Sequence, residues 1–202
     1  MYHNSNQTII ESVAPPDSRW LMNVQEACIM LQKLDPRQLT GNVFERIGTQ
    51  WMLITAGTPE NCNTMTASWG GLGVLWNKNV ATVYIRPQRY TKEFVDKSER
   101  FTLTFFPEAY REALKICGTL SGRDLDKIKK AGLTPYYLDG TTAFEEAGMI
   151  LVCRKLYQSR LQEENFHDKS CCEKNYPQKD YHDVYIAEIE KVLISASFSN
   201  IR

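Results

Sequence analysis

Two short segments carry residue types that could hold a charged, flat ligand. Asn63-Thr64-Met65-Thr66-Ala67-Ser68-Trp69-Gly70-Gly71 is small and hydroxyl-rich, opened by an amide and closed by an indole. Arg86-Pro87-Gln88-Arg89-Tyr90-Thr91 ends a β-branched run from Val80 to Ile85. An anion binds well where a guanidinium fork, a phenol, a hydroxyl and unpaired helix N–H groups converge, and Thr91 is placed to cap a helix. A phosphate monoester matches that set, with close to two charges and three acceptor oxygens. A strand of small residues beside it leaves room for a flat ring on the backbone. Together the segments point to a phosphate-bearing aromatic cofactor. Each alone also has a plain structural explanation: a strand with inward threonines, or a capped helix with a solvated arginine. Arg86 is the weaker of the two arginines, because Pro87 turns the chain between them.

A third polar cluster, Ser121-Gly122-Arg123-Asp124-Leu125-Asp126-Lys127, has the form of a helix start. Ser121 could cap and Asp124 could reach back. Taken alone, its alternating charges also fit a solvent-facing helix.

These segments need elements to position them. Trp51 to Ala56 reads as a buried strand ended by a turn at Gly57, Pro59 and Asn61. Thr64 to Trp69 and Val80 to Arg86 are further strands. Phe101 to Phe105 alternates Phe and Thr around Leu103, as a half-buried strand with one apolar face would. Met149 to Leu156 and Val184 to Ile194 are long strand candidates, which makes about six strands. Helices are expected over Thr91 to Lys97, over the apolar stripe Tyr110, Ala113, Leu114 and Cys117, and around Leu125 and Ile128 before Gly132. The polar run Gln162 to Asp180 reads as a long surface loop. Clustered strands with short helices between them, and no regular βαβ alternation, argue against a doubly wound sheet. A closed antiparallel barrel with helices packed outside fits better.

N-T-M-T-A-S-W-G-G, then R-P-Q-R-Y-T, then S-G-R-D-L-D-K, in that order, resembles the flavin reductase-like proteins. The resemblance runs from about Leu34 to about Leu193. It implies a mainly β, α+β fold, the FMN-binding split β-barrel of antiparallel strands. Residues 34–202 would form that domain, and 1–33 an extension that is poorly ordered or ends in a short amphipathic helix from Val24 to Leu34. It also implies FMN as cofactor. By position, Asn63, Thr64, Met65, Thr66, Ala67, Ser68 and Trp69 would line the ring or ribityl chain, and Arg89, Tyr90 and Thr91 the phosphate. The resemblance further places Lys127, with Ser121 and Arg123 as further candidates, near the phosphate or ring. His182 sits where related reductases often carry a histidine beside the nicotinamide face. Here Tyr181 and Asp183 flank it, and a structural, surface or hydrogen-bonded histidine fits equally well.

The activity so implied is an FMN-dependent oxidoreductase, with NAD(P)H as transient hydride donor and free flavin, oxygen or a partner protein as acceptor. The alternative is a flavoredoxin-like electron carrier without turnover of its own. The family usually forms homodimers. The chain lacks G-x-G-x-x-G, so no Rossmann site for a dinucleotide is expected. Lys plus Arg and Asp plus Glu both number 24, so no net charge draws this 202-residue chain to nucleic acid or an anionic membrane. Apolar runs are too short to span a bilayer. Six cysteines without a CxxC pair, and no signal-like N-terminus, lead us to expect reduced thiols and a cytoplasmic location. Cys171-Cys172 with His167 fits no tetrahedral spacing, so no metal is expected.

Overall fold

Strand β2 (Met52–Thr58) shows how the chain builds its layers. Period-two alternation sends Met52 and Ile54 to one face and Leu53 to the other, and all three are fully buried. Met52 and Ile54 enter the main core with Val83, Phe101, Leu103, Leu151 and Tyr185. Leu53 joins a second cluster, under a helix, with Ala113, Leu114, Cys117 and Phe144. Burying one such side chain contributes about 1.5–3 kcal/mol. A strand paid on both faces in this way sits between a barrel interior and an outer helical layer.

The computed structural model describes residues 31–199. Its strands are β1 (Leu31–Leu34), β2, β3 (Asn61–Ala67), β4 (Gly70–Leu75), β5 (Lys78–Ile85), β6 (Arg100–Phe105), β7 (Pro135–Leu138), β8 (Thr141–Phe144), β9 (Met149–Arg160) and β10 (Asp183–Ser195). The helices are α1 (Tyr90–Lys97), α2 (Arg111–Thr119), α3 (Lys127–Lys130), α4 (Lys169–Asn175) and α5 (Ala196–Ser199). A π-helical segment, Glu45–Gln50, precedes β2.

The main sheet has eight strands in the order β3-β2-β6-β9-β10-β5-β4, with β1 also on β10, all antiparallel. Its two edge strands, β3 and β4, are consecutive in the chain and joined only by Ser68 and Trp69. The sheet therefore curls until its edges meet at that link, and the hydrogen-bonded ladder stays open there. This is a split barrel with helices outside, where pattern alone led us to expect a closed one. Register shifts at Ile186/Ala187 and Ile189/Lys191 in β10 supply local bends that a curling sheet requires.

Several expectations change. Leu31–Leu34, read as the end of an amphipathic helix, is a strand paired with Leu193 and its neighbours; residues 1–30 of the expected extension lie outside the described residues. Trp51 is not in β2: its φ is 69°, and Arg111 stacks 3.4 Å from its ring centroid while donating to the carbonyls of Thr49 and Gln50. β6 is buried on both faces, because the β7–β8 hairpin covers its threonine side and Thr102 donates to the Thr142 carbonyl at 2.7 Å. That hairpin and β4 were not expected as strands. Within 162–180 lie a 3₁₀ turn (Glu163–Asn165) and α4, capped by Asp168. The aromatic residues Phe166, Tyr176 and Tyr181, spaced through that polar sequence, pack on one another with centroids 5.1–6.2 Å apart.

Candidate functional site

The residues of β3 divide between three surroundings. Asn63 is buried and its amide donates to the Thr91 hydroxyl at 2.8 Å. Thr64 turns away: its hydroxyl lies 2.8 Å from that of Thr55 and donates to the Ile54 carbonyl, so it faces neither cavity described below. The Thr66 hydroxyl donates to the Leu114 carbonyl of α2. Met65, Thr66 and Ala67, with Ser68 and Trp69 of the β3–β4 link, line a cavity of about 210 Å³. Tyr84, Arg86, Arg89 and His182 complete it.

A second chamber of about 150 Å³ shares Met65 and Arg89 with the first, and adds Tyr90, Thr91, Thr119, Ser121 and Lys127. Two cations meet here. Arg89 donates to the Gly118 carbonyl at 2.8 Å and more weakly to that of Thr66. Lys127, 4% exposed, donates to the carbonyls of Cys117 and Leu120 at 3.1 and 3.2 Å. The C-terminal end of α2 thus holds both, as its free carbonyls and dipole favour. Among the described residues no carboxylate pairs with either cation. Burial lowers both pKa values; Arg86 adds repulsion at Arg89, and Arg89 adds it at Lys127, which falls to about 8.

The hydroxyls face the same way chemically. Thr91 already accepts from Asn63, and Ser121 accepts from the Arg123 N–H at 3.2 Å, so each has its proton left to donate. Thr91 is not the helix cap expected; Arg89 holds that position, and Thr91 lies in the first turn of α1. Ser121 and Asp124 do not open a helix either. Asp126 caps α3 by accepting from Lys129 N–H, so Leu125 stays outside the helix. Gly122 is packed onto the site: a Cβ there would lie 2.1 Å from Asn63 Oδ1 and 3.3 Å from the Tyr90 ring.

Arg123 is not brought in. It pairs with Glu93 at 2.5 Å and lies over the outer face of Tyr90, 4.6 Å from the ring centroid. Arg86 lines the larger chamber but is bound to Asp180 and to the Asn175 carbonyl. His182 does reach the site. It is buried, 5.1 Å from Trp69 by ring centroid, with Tyr84 edge-on at 6.5 Å. The Tyr176 hydroxyl sits 2.9 Å from its Nδ1. Burial, and then the Arg86 charge, push the imidazole down to about 4, so it is neutral near pH 7.

Sequence reasoning missed Tyr84, Thr119 and Tyr176. Tyr84 had a signal, since it stands out of phase with Val83 and Ile85 on β5 and must face the other side. Tyr176 had none, because the run around it reads as loop. Cys171 is exposed and Cys172 buried, on different faces of α4. Among the described residues no group of three His, Cys, Asp or Glu side chains is arranged to hold a metal.

Comparison with known proteins agrees with this fold. The flavin reductase like domain matches residues 44–200, and the chain belongs to that family. No curated protein matches. Among solved structures, the FMN-binding domain of a flavin reductases-like enzyme from Shewanella baltica OS155 superposes with a TM-score of 0.61 at 15% identity, covering 85% of this chain and 80% of that one. Flavoredoxin of Desulfovibrio vulgaris (Miyazaki F) gives 0.57 at 20% identity, covering 82% and 77%. Nitrilotriacetate monooxygenase component B from Bacillus cereus gives 0.57 at 16%, covering 82% of each chain. At these identities the likeness is one of fold.

Proposed function

We propose that the chain binds FMN and works as a flavin reductase-like oxidoreductase. One observation carries the reading. Arg89 and Lys127 are two cations held against helix-end carbonyls, without a carboxylate partner among the described residues, beside two hydroxyls free to donate. Unpaired cations out of water are costly, and a phosphate monoester relieves that cost. The donor set fits a phosphate in the smaller chamber. The larger, walled by Trp69, Tyr84 and His182, fits part of an aromatic ring system. Held there, FMN would supply the redox chemistry between NAD(P)H as hydride donor and free flavin, oxygen or a partner protein as acceptor.

The protein's own part is position and charge. Arg89 and Lys127 fix the anionic end, and Asn63 holds Thr91 in place. Trp69 limits where a ring can lie. Neutral His182, held by Tyr176, offers a hydrogen bond rather than a charge. The carrier reading has one observation in its favour. Arg86 and Arg123 are already paired with Asp180 and Glu93, which leaves little to read a dinucleotide's phosphates. Val74, Leu75 and Trp76 at the β4–β5 turn stand exposed, and the reading includes a homodimer that covers apolar surface of this kind.

The test is the visible spectrum of the purified protein, followed by denaturation and identification of any released flavin. Flavin bands released as FMN support the reading. A colourless protein that does not quench added FMN fluorescence sinks it. Stopped-flow oxidation of NADPH and NADH then separates enzyme from carrier.

A further inference from the structure

The stretch between β9 and β10, residues 161–182, is polar in sequence yet folds around one phenol. Tyr176 is 7% exposed, and its hydroxyl lies 2.9 Å from Nδ1 of His182. Its backbone N–H donates to the Cys172 carbonyl in α4, and its own carbonyl accepts from the Lys179 N–H. Phe166 and Tyr181 pack on its ring, with centroids 5.8 and 5.1 Å away. Arg86, one residue past β5, lies 5.3 Å from the same ring centroid. Its guanidinium donates to the carbonyl of Asn175, next to Tyr176 in the chain, and pairs with Asp180. Arg86 does not line the smaller chamber; it fastens this stretch to the barrel.

One proton decides what this arrangement does. Among the described residues, His182 Nδ1 is the one hydrogen-bonding neighbour of the Tyr176 hydroxyl. A buried O–H without an acceptor forfeits the bond it makes in water. If Nδ1 carried the ring proton, it would donate to the phenol oxygen and leave the phenol proton with no acceptor. With Nδ1 bare, Tyr176 donates to it and both groups are satisfied. The single proton of the neutral imidazole then sits on Nε2. No partner for Nε2 occurs among the described residues, and His182 lines the larger chamber beside Trp69 and Tyr84.

We infer that Tyr176 is a positioning residue: it fixes His182 as the Nε2–H tautomer, so that the imidazole presents a hydrogen-bond donor to the larger chamber. The group that meets this donor is an acceptor oxygen or nitrogen on a bound ring. That last step rests on the flavin reading, whereas the tautomer does not. The opposite tautomer would turn a lone pair towards the same acceptor atoms and repel them. Hydrogen bonds to a cofactor ring are one means by which a protein tunes its electronics, so the choice of tautomer bears on the chemistry and not only on packing.

The experiment is NMR of the flavin-free, full-length protein labelled on its histidine nitrogens, in wild type, Tyr176→Phe and His182→Gln. The chain has three histidines, and the signals missing from His182→Gln belong to His182. Tyr176→Phe keeps the ring and its contacts with Phe166 and Tyr181, and removes only the hydroxyl. In wild type, His182 should show a protonated Nε2 and a bare Nδ1. In Tyr176→Phe both nitrogens should move towards the average of two exchanging tautomers, a change that packing alone does not produce. FMN added to the wild type should then shift the Nε2 signal. A protonated Nδ1 in the wild type, or one and the same tautomer in wild type and Tyr176→Phe, overturns the inference. So does an Nε2 signal that stays in place while FMN binds, since the donor would not face the ring. A wild type with the expected tautomer that binds no FMN would remove the flavin reading and leave the role of Tyr176 standing.

Discussion

The Asn63 amide holds the Thr91 hydroxyl at 2.8 Å across 28 residues of sequence, and so ties the edge strand β3 to the first turn of α1. The bond consumes one acceptor site on Thr91 and leaves its proton for a ligand. Gly122 presses on the same amide, since a Cβ there would fall 2.1 Å from Asn63 Oδ1. Three separate stretches of chain therefore fix one hydroxyl.

Gly122→Ala should displace Asn63 from Thr91. Overpacking of this kind costs about 1–3 kcal/mol. Urea denaturation of the ligand-free protein should show that loss, and FMN affinity should fall with it. Asn63→Ala should weaken FMN as well, because Thr91 loses its orienting donor. An unchanged FMN affinity in both variants would mean that Thr91 does not contact the ligand.

Phosphate and ring recognition are separable. Arg89→Ala removes a charge-assisted bond worth about 1.5–3 kcal/mol. FMN affinity should drop roughly tenfold to more than a hundredfold. Riboflavin lacks the phosphate, so its weaker binding should barely change. Trp69→Ala should weaken both flavins by similar factors. The check is a paired fluorescence titration, and equal losses for both flavins in Arg89→Ala would withdraw Arg89 from the phosphate site.

Lys127 gives FMN binding a pH dependence. Its pKa in the free protein is lowered to about 8, chiefly by burial. An anion beside it favours the charged form, so the bound state raises that pKa. Affinity should be level between about pH 7 and 8, where the phosphate is a dianion, and fall as pH rises further, by up to tenfold per pH unit, until the pKa of the complex is reached. Riboflavin should not follow the fall. Lys127→Met should bind FMN more weakly and flatten the profile. A wild-type FMN profile that stays level to pH 10 in fluorescence titrations would show that Lys127 carries no charge to the phosphate.

Much of this was legible from residue types, and the limits have physical causes. Apolar and β-branched runs marked β2, β5, β9 and β10, and alternation marked β6, because each turns a face to the core. β4 was hidden, since its glycines carry no pattern and its far end is exposed. α4 was hidden because it is short and polar, and its aromatic packing comes from residues that flank it. In the site, Arg89, Thr91, Ser121 and Lys127 line one chamber. Thr64 and Arg123 do not, because strand alternation and an ion pair with Glu93 decide where those side chains go. A linear motif records neither.

His182 should make the fold acid-sensitive above the range of ordinary carboxylates. Its folded pKa is lowered to about 4, first by burial and then by Arg86, against an ordinary value of 6.5. Between those two values the unfolded chain binds the proton and the folded one does not. Stability therefore rises with pH through this window and is lost as pH falls from about 6.5 towards 4. The full shift would correspond to about 3 kcal/mol at 1.36 kcal/mol per pKa unit, and relaxation around the ring makes about 1–2 kcal/mol the better expectation. His182→Gln keeps a hydrogen-bonding side chain of similar reach without the titration. Urea unfolding of wild type and variant should be compared at intervals from pH 7 to pH 4.5. The wild type should lose stability relative to the variant as pH falls, and the difference should level off above pH 7. Parallel curves over the whole range would mean that His182 titrates at an ordinary pKa, and that the neutral imidazole assigned to the ring chamber is wrong.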